Sequence, residues 1–442
     1  MNSFFKGTAL LVAAAFIGEC LEFVINMVLA RELGEKGMGL YMTILPMIFL
    51  VMVIASLELP VSISKFVAEK EEQVHRSMLA HVFRFTVYMT VMLLAVAAVI
   101  LPLIPVFGSY HPMVRWLLVI LIPIISFSSI ARGYFMGLHH MGKIAFSNLL
   151  RKAAMLVLLI VMYQLFQFDQ ETALLVALCT LIGSELIVMA YLTHVFILQW
   201  QYIKNRPHAH ISSKKVRDNL LAVSLPTTAL RIFHAITNAA QPFLIKFALI
   251  RAGVTEVAAT EHFGMLAGVA MTIGFFPAFI AHSLMIALIP TVSRANAKND
   301  REKLAQLLQQ VMVITALYGI PAVMIFNVFA EPLARLFFDS AKAAIYLQML
   351  WPYFLFHFFV IPMQAFLIGL GLVKDALYHS IWSTIVSFSL IFFLGSLKEF
   401  KMGGVIIGMN AGILLLTLMH YVTICKKIGI PLTSRKPVRK MP

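Results

Sequence analysis

"LPVSISKFVAEKEEQ", residues 59–73, closes a long apolar run with a proline, two serines, a lysine and then a burst of charge. The same order returns in "IPTVSRANAKNDRE", residues 289–302. A second pair of stretches behaves alike: "RGYFMGLHHMGKIA" from Arg132 and "QAFLIGLGLVKDA" from Gln364. Pro60 to Pro290 is an offset of 230, and Gly137 to Gly369 one of 232. Two motif pairs at nearly one offset describe a duplicated chain. An even number of membrane crossings per copy keeps the two copies parallel, related by an axis along the membrane normal.

Composition says what is duplicated. Of 442 residues, 61% are hydrophobic and 12% charged, against about half and a quarter in a soluble domain. Apolar runs of about 20 residues recur throughout, the signal of transmembrane helices. The alternating pattern of a membrane β-barrel is absent. The chain therefore reads as an all-α polytopic membrane protein of twelve transmembrane helices in two parallel six-helix repeats. The expected spans are 4–31, 39–64, 82–105, 114–136, 144–165, 172–199, 219–248, 263–292, 306–329, 345–371, 376–396 and 403–424. They divide into an N-terminal lobe (1–200), a polar linker (201–218), a C-terminal lobe (219–425) and a basic tail (426–442). The first apolar run is too long for the core of a signal peptide and no small-residue cleavage site follows it, so it is read as a retained helix.

A net charge of +15 is explained by basic loops on one side of the membrane rather than by nucleic acid, which is not expected as a partner. With the N-terminus inside, the inside segments hold 25 Lys and Arg and the outside segments 8. In that count Arg132, Lys143, Arg151 and Lys152 belong to the inside. The bias places both termini in the cytoplasm. Three cysteines in apolar spans imply no disulfide framework. His139, His140, His208 and His210 lack accompanying Cys, Asp or Glu, so no metal is expected. There is no phosphate-binding G-x-x-x-x-G-K-[ST] loop and no G-x-S-x-G elbow. No cofactor and no enzymatic activity are expected, and active transport would draw on an ion gradient or a partner.

Ionisable residues inside a span are costly and face the bundle interior or a water-filled cavity. In "LRIFHAITNAAQP", residues 230–242, Arg231, His234, Asn238 and Gln241 fall at roughly 0°, 300°, 340° and 280° around a helix. Glu19, Glu22 and Asn26 form a similar narrow stripe in the first span. These are the first helices of the two repeats, one basic and one acidic. As cavity linings, Arg231 would grip an anion through paired hydrogen bonds. Glu19 and Glu22 would bind a proton or sodium ion, or hold Arg231 when no substrate is bound. As structure, the two stripes would be an ion-pair network that fixes packing. Glu58 beside Pro60, Glu185 in mid-span and His282 are further candidates for a gate or for coupling; His357 reads as a packed polar residue.

The motifs "ARELGEKGMGLY" (30–41), "LELPVSISKFVAE" (57–69) and "ARGYFMGLHHMGKIAFSNLLRK" (131–152) resemble the polysaccharide-transporter and stage V sporulation protein B-like family. That family belongs to a flippase superfamily that also holds the lipid II flippases and the MATE exporters. "SLPTTALRIFHAITNAAQPFLI" and "FLIGLG" fit it too, so the likeness covers nearly the whole chain. The resemblance implies a V-shaped pair of six-helix lobes working by alternating access. It implies export of a lipid-linked sugar or peptidoglycan-type precursor, in cell-wall or spore-envelope biogenesis. Membrane lipids, a coupling cation and envelope-biosynthesis proteins are the implied partners, and the cytoplasmic or forespore membrane the implied location. The alternatives are a cation-coupled exporter of small organic cations and a non-transporting membrane scaffold. Glu58 stands where relatives usually carry glycine, and Arg231 is the deep cation on which the pyrophosphate-binding chemistry of relatives would fall.

Overall fold

In the computed structural model the backbone is described for residues 2–204 and 213–429 except 58, 70, 104, 139, 339 and 340. Side chains are described for residue 13, for 15–201 and for 231–429, apart from those positions and 69, 105, 106, 286, 287 and 290. Glu58, the linker core and most of the basic tail lie outside the described residues.

Among the described residues the regular structure is helical. In order come α1 (Asn2–Ser56), α2 (Leu59–Glu69), α3 (Glu72–Leu103), α4 (Met113–Gly137), α5 (Met141–Leu165), α6 (Gln170–Lys204) and α7 (Ser213–Arg251). Then follow α8 (Glu256–Phe263), α9 (Met271–Phe275), α10 (Ala278–Ala297), α11 (Arg301–Val328), α12 (Ala330–Arg335), α13 (Ala344–Met349), α14 (Trp351–Gly369), α15 (Val373–Gly395) and α16 (Met402–Ile428). Among the described residues nine helices are long and apolar enough to cross a membrane, or ten when one bent pair is taken as a single span.

Several spans differ from the expected ones. The first two are joined without a loop: residues 32–38 are helical apart from Gly34, whose φ of 65° and ψ of −179° break the helix. A straight helix of 55 residues would be about 80 Å long, far more than the roughly 30 Å hydrocarbon core, so α1 holds two crossings. The second crossing breaks again at Leu57, in the left-handed region at φ 47°. The eighth is broken as well. A π-helical turn fills Gly264–Ala270, and the axis bends by 59° at Phe276–Pro277. Proline removes a backbone donor and clashes with the preceding turn, which accounts for the break. The tenth is split at Leu350 into α13 and α14.

Two compact units emerge. One comprises residues 20–242, the other residues 1–19 together with 243–442. Their borders fall inside α1 and α7 rather than in loops.

Within each unit the repeated motifs are what packs. In the first, α2 lies on α4, and Leu59, Ile63, Phe66 and Val67 share a core with Ile130, Ala131, Tyr134 and Phe135. In the second, α10 lies on α14, and Leu288, Val292 and Ala295 meet Met363, Phe366, Leu367 and Leu370. Glycine permits both crossings. A Cβ at Gly137 would stand 2.6 Å from Val67 Cβ and 2.8 Å from Ser64 O. One at Gly369 would stand 2.8 Å from Val292 Cβ and 3.0 Å from Ile289 O. Lipid offers no hydrophobic drive for helices to associate, so backbones must approach closely for dispersion to hold them. The seam of α15 and α16 uses the same device, with Gly404, Gly408 and Gly412 set against Leu394, Ile391 and Ser387.

At the helix ends outside the membrane, capping is conventional. Thr255 accepts from the Ala258 amide and Asp300 from the Lys303 amide. Asp169, before α6, is held below the usual carboxylate range chiefly by hydrogen bonding from the Thr172 side chain.

These crossings predict that Gly137→Leu and Gly369→Leu each cost about 1–3 kcal/mol through overpacking. Gly142→Ala, with open space around the new methyl, should be silent or slightly stabilising. Thermal unfolding of the purified protein in detergent ranks the three. A Gly142 variant as damaging as the Gly137 one would contradict the packing account.

Candidate functional site

The unit of residues 20–242 carries charges in the middle of its helices. Arg151 and Lys152 are the eleventh and twelfth of the 25 residues of α5, roughly 15 Å from its start. They therefore lie in the middle of a helix long and apolar enough to cross a membrane, not in the inside loop in which the charge count placed them. Consecutive helical residues point about 100° apart, so the two cations reach different helices. Arg151 Nε lies 3.6 Å from Glu185 Oε1 of α6, and Lys152 Nζ lies 3.5 Å from Glu22 Oε2 of α1.

The two pairs are unequal. The Glu185 side chain is 5% exposed and Arg151 27%, whereas Lys152 is 15% and Glu22 42% exposed. Glu185 also attracts a third cation, Arg132 of α4, which donates from Nη1 to Asn148 Oδ1 of α5 at 3.1 Å. Buried Tyr41 on the second crossing of α1 lies within the field of both Glu22 and Arg151. Three cations and two carboxylates thus share one cluster. A carboxylate as open as Glu22 at this depth cannot face hydrocarbon and must border water or the bundle interior.

The expected stripes are distributed as follows. Asn26 is buried beyond Glu22. Arg231, His234, Asn238 and Gln241 all lie on α7 within the unit of residues 20–242; Arg231 and Asn238 are exposed, His234 and Gln241 half-buried. Glu19 falls in the other unit, together with His282 and His357. There Glu19 attracts His282 electrostatically, and His282 in turn feels His357. The His357 ring is 4.6 Å from Phe275, at the broken eighth span, and stacks on Tyr353 at 6.1 Å. Phe16 of α1 packs on Phe276 and Phe279 beside that break. Glu22 and Glu19 are thus neighbours on one helix with different partners. Among the described residues no group of three or more His, Cys, Asp and Glu could hold a metal.

Arg132, Arg151 and Lys152 are the residues that sequence reading missed. For Arg151 and Lys152 the available signal was their distance from the start of the span: the helix begins at Met141, ten residues before Arg151.

Helices of this order and packing define the MATE transporter fold. A solved inward-facing multidrug-resistance MATE transporter of the MOP superfamily matches with a TM-score of 0.75 at 16% identity, over 95% of this chain and 96% of that one. A MOP superfamily transporter from Pyrococcus furiosus, described as having a binding pocket of reverse polarity, matches with a TM-score of 0.67 at 17% identity over 96% of each chain. The chain belongs to the polysaccharide biosynthesis protein family, whose model matches residues 4–296, and a MatE model matches residues 231–393. It is 54% identical to sporulation protein YkvU of Bacillus subtilis (strain 168) over 98% of both chains. It is 32% identical to stage V sporulation protein B of the same organism, over 98% of this chain and 86% of that protein.

Burial separates the two carboxylates. Glu185→Ala removes a buried carboxylate from between two half-buried cations and should cost up to about 3 kcal/mol. Glu22→Ala opens a half-exposed pair and should cost less than about 1 kcal/mol. Thermal unfolding in detergent measures both, and equal losses would contradict the distinction.

Proposed function

We propose that the chain moves a lipid-linked oligosaccharide or peptidoglycan-type precursor across the cytoplasmic membrane by alternating access. The setting is cell-wall or spore-envelope biogenesis, in the cytoplasmic or forespore membrane. The observation that carries the reading is the adjacent Arg151–Lys152 pair halfway along α5. Cations at that depth are costly and mark substrate or ion pathways by default. The anion such a substrate offers is the phosphate that joins sugar to lipid, for which a guanidinium and an ammonium are suited donors.

The basic bias of the inside segments supports cytoplasmic termini. Arg231, His234, Asn238 and Gln241 supply further polar contacts along α7. Glu19 with His282 is the candidate seat of a coupling proton or sodium ion. Envelope-biosynthesis proteins are the expected partners.

Translocation of dansylated or radiolabelled lipid-linked sugar diphosphates in proteoliposomes tests this. Wild-type protein should flip at least one carrier. Arg151→Gln should slow flipping about tenfold or more, the equivalent of about 1.4 kcal/mol in the barrier. No protein-dependent flipping with several carriers would contradict the proposal.

A second reading, a cation-coupled exporter of small organic cations, draws on Glu19 beside His282 and on the ring cluster of Phe275, Tyr353 and His357, since aromatic faces attract organic cations. Under it, ethidium efflux from cells should depend on Glu19 and vanish in Glu19→Gln. Under the first reading the wild-type protein gives no such efflux.

A further inference from the structure

We infer that Glu22 is an internal stand-in for the substrate's phosphate: its carboxylate occupies Lys152 in the empty carrier and yields that ammonium to a diphosphate on binding. This rests on the proposed transport of a phosphate-linked lipid and names the residues that read the phosphate. It also gives the two carboxylates opposite parts.

Glu185 cannot yield. It is 5% exposed, lies 3.6 Å from Arg151 and attracts Arg132 as well. Removing this buried carboxylate leaves two half-buried cations without their shared countercharge. Arg151 is therefore fixed in direction by Glu185, with its remaining guanidinium donors available to a second acceptor.

Glu22 differs in exposure and in partner. It is 42% exposed and stands opposite a lysine rather than an arginine, while the contact distances of the two pairs, 3.5 and 3.6 Å, are alike. A half-exposed ion pair is commonly worth no more than about fivefold in an equilibrium. Lysine is a compact point charge with three rotatable donors and accepts a new anion without the fixed fork geometry of arginine. A phosphate oxygen presents the same acceptor chemistry as the carboxylate with more charge behind it. Exchange of one for the other keeps Lys152 compensated both with and without substrate. That is the condition for the lobe to cycle loaded in one direction and empty in the other with no bare mid-membrane ammonium.

The exchange makes a prediction opposite in sign to that of a structural strut. Removing the Glu22 carboxylate removes a competitor, so diphosphate should bind tighter; a strut, once lost, would weaken the site. Binding is read by thermal shift and intrinsic fluorescence on the purified full chain in detergent. The probes are farnesyl diphosphate, inorganic pyrophosphate and farnesol. Glu22→Gln should tighten farnesyl diphosphate about fivefold. Lys152→Gln should weaken it by about tenfold or more, and Lys152→Arg should restore most of the loss. Farnesol should show no dependence on either residue. Elution volume and helical circular dichroism check folding; if Lys152→Gln fails them, Glu22→Gln and Lys152→Arg still decide the sign.

Wild-type binding that Glu22→Gln leaves unchanged or weakens would overturn the inference while leaving the transport reading in place. Pyrophosphate bound as tightly as farnesyl diphosphate, with the same ranking of variants, would assign the site to a free anion and overturn the lipid part. Wild-type protein that binds neither diphosphate would remove the transport reading and this inference with it.

Discussion

A cation halfway through a membrane must be compensated, and in this chain two sit side by side on α5. Arg151 and Lys152 cannot both face one partner, because consecutive helical residues diverge by about 100°. Each therefore fixes a neighbouring helix: Arg151 draws α6 through Glu185, and Lys152 draws α1 through Glu22. Arg132 adds α4 through Asn148 and the field of Glu185. Four helices of the unit formed by residues 20–242 are thus oriented by one electrostatic cluster. Arg151 and Lys152 stand in the body of α5 rather than at its end, which is what makes the cluster a candidate site.

Around it, the apolar packing is a matter of close backbone approach. Gly137 on α4 and Gly369 on α14 perform the same task in the two units, each admitting a neighbouring helix to a distance that any Cβ would forbid. The motifs that revealed the duplication are these contact surfaces. Gly137 and Gly369, at the repeated offset, sit in the seam between α2 and α4 and in the seam between α10 and α14. The charges are not duplicated: the second unit places Glu19, His282 and the aromatic rings around His357 at its broken span instead.

The all-α membrane class, the repeat and the family were legible in the sequence, because hydrophobic run length and motif offset are properties of the chain alone. The breaks were not. Gly34, Leu57 and Phe276–Pro277 interrupt runs whose hydropathy continues unchanged across them. The candidate site was half legible. Periodicity put Glu22 and Asn26 on one face and singled out Glu185, but pairing is a tertiary property. Counting basic residues for orientation also drew Arg151 and Lys152 into a loop, since a shift of a few residues in a span boundary decides whether a charge is a flank or a core. The polar face of Arg231, His234, Asn238 and Gln241 was readable from spacing, and the partner of Glu22 was not: spacing pointed to α7, and the contact is to α5.

The central claim is that the α5 cations meet the substrate's phosphate. Photo-crosslinking with a polyprenyl diphosphate analogue that carries its reactive group next to the phosphates, followed by peptide mapping, tests it most directly. The account predicts adducts on α5 around Arg151 and Lys152 and on α1 around Glu22, suppressed by excess unlabelled diphosphate. Specific adducts confined to the helices around His282 and His357, with none on α5 or α1 near these residues, would contradict it.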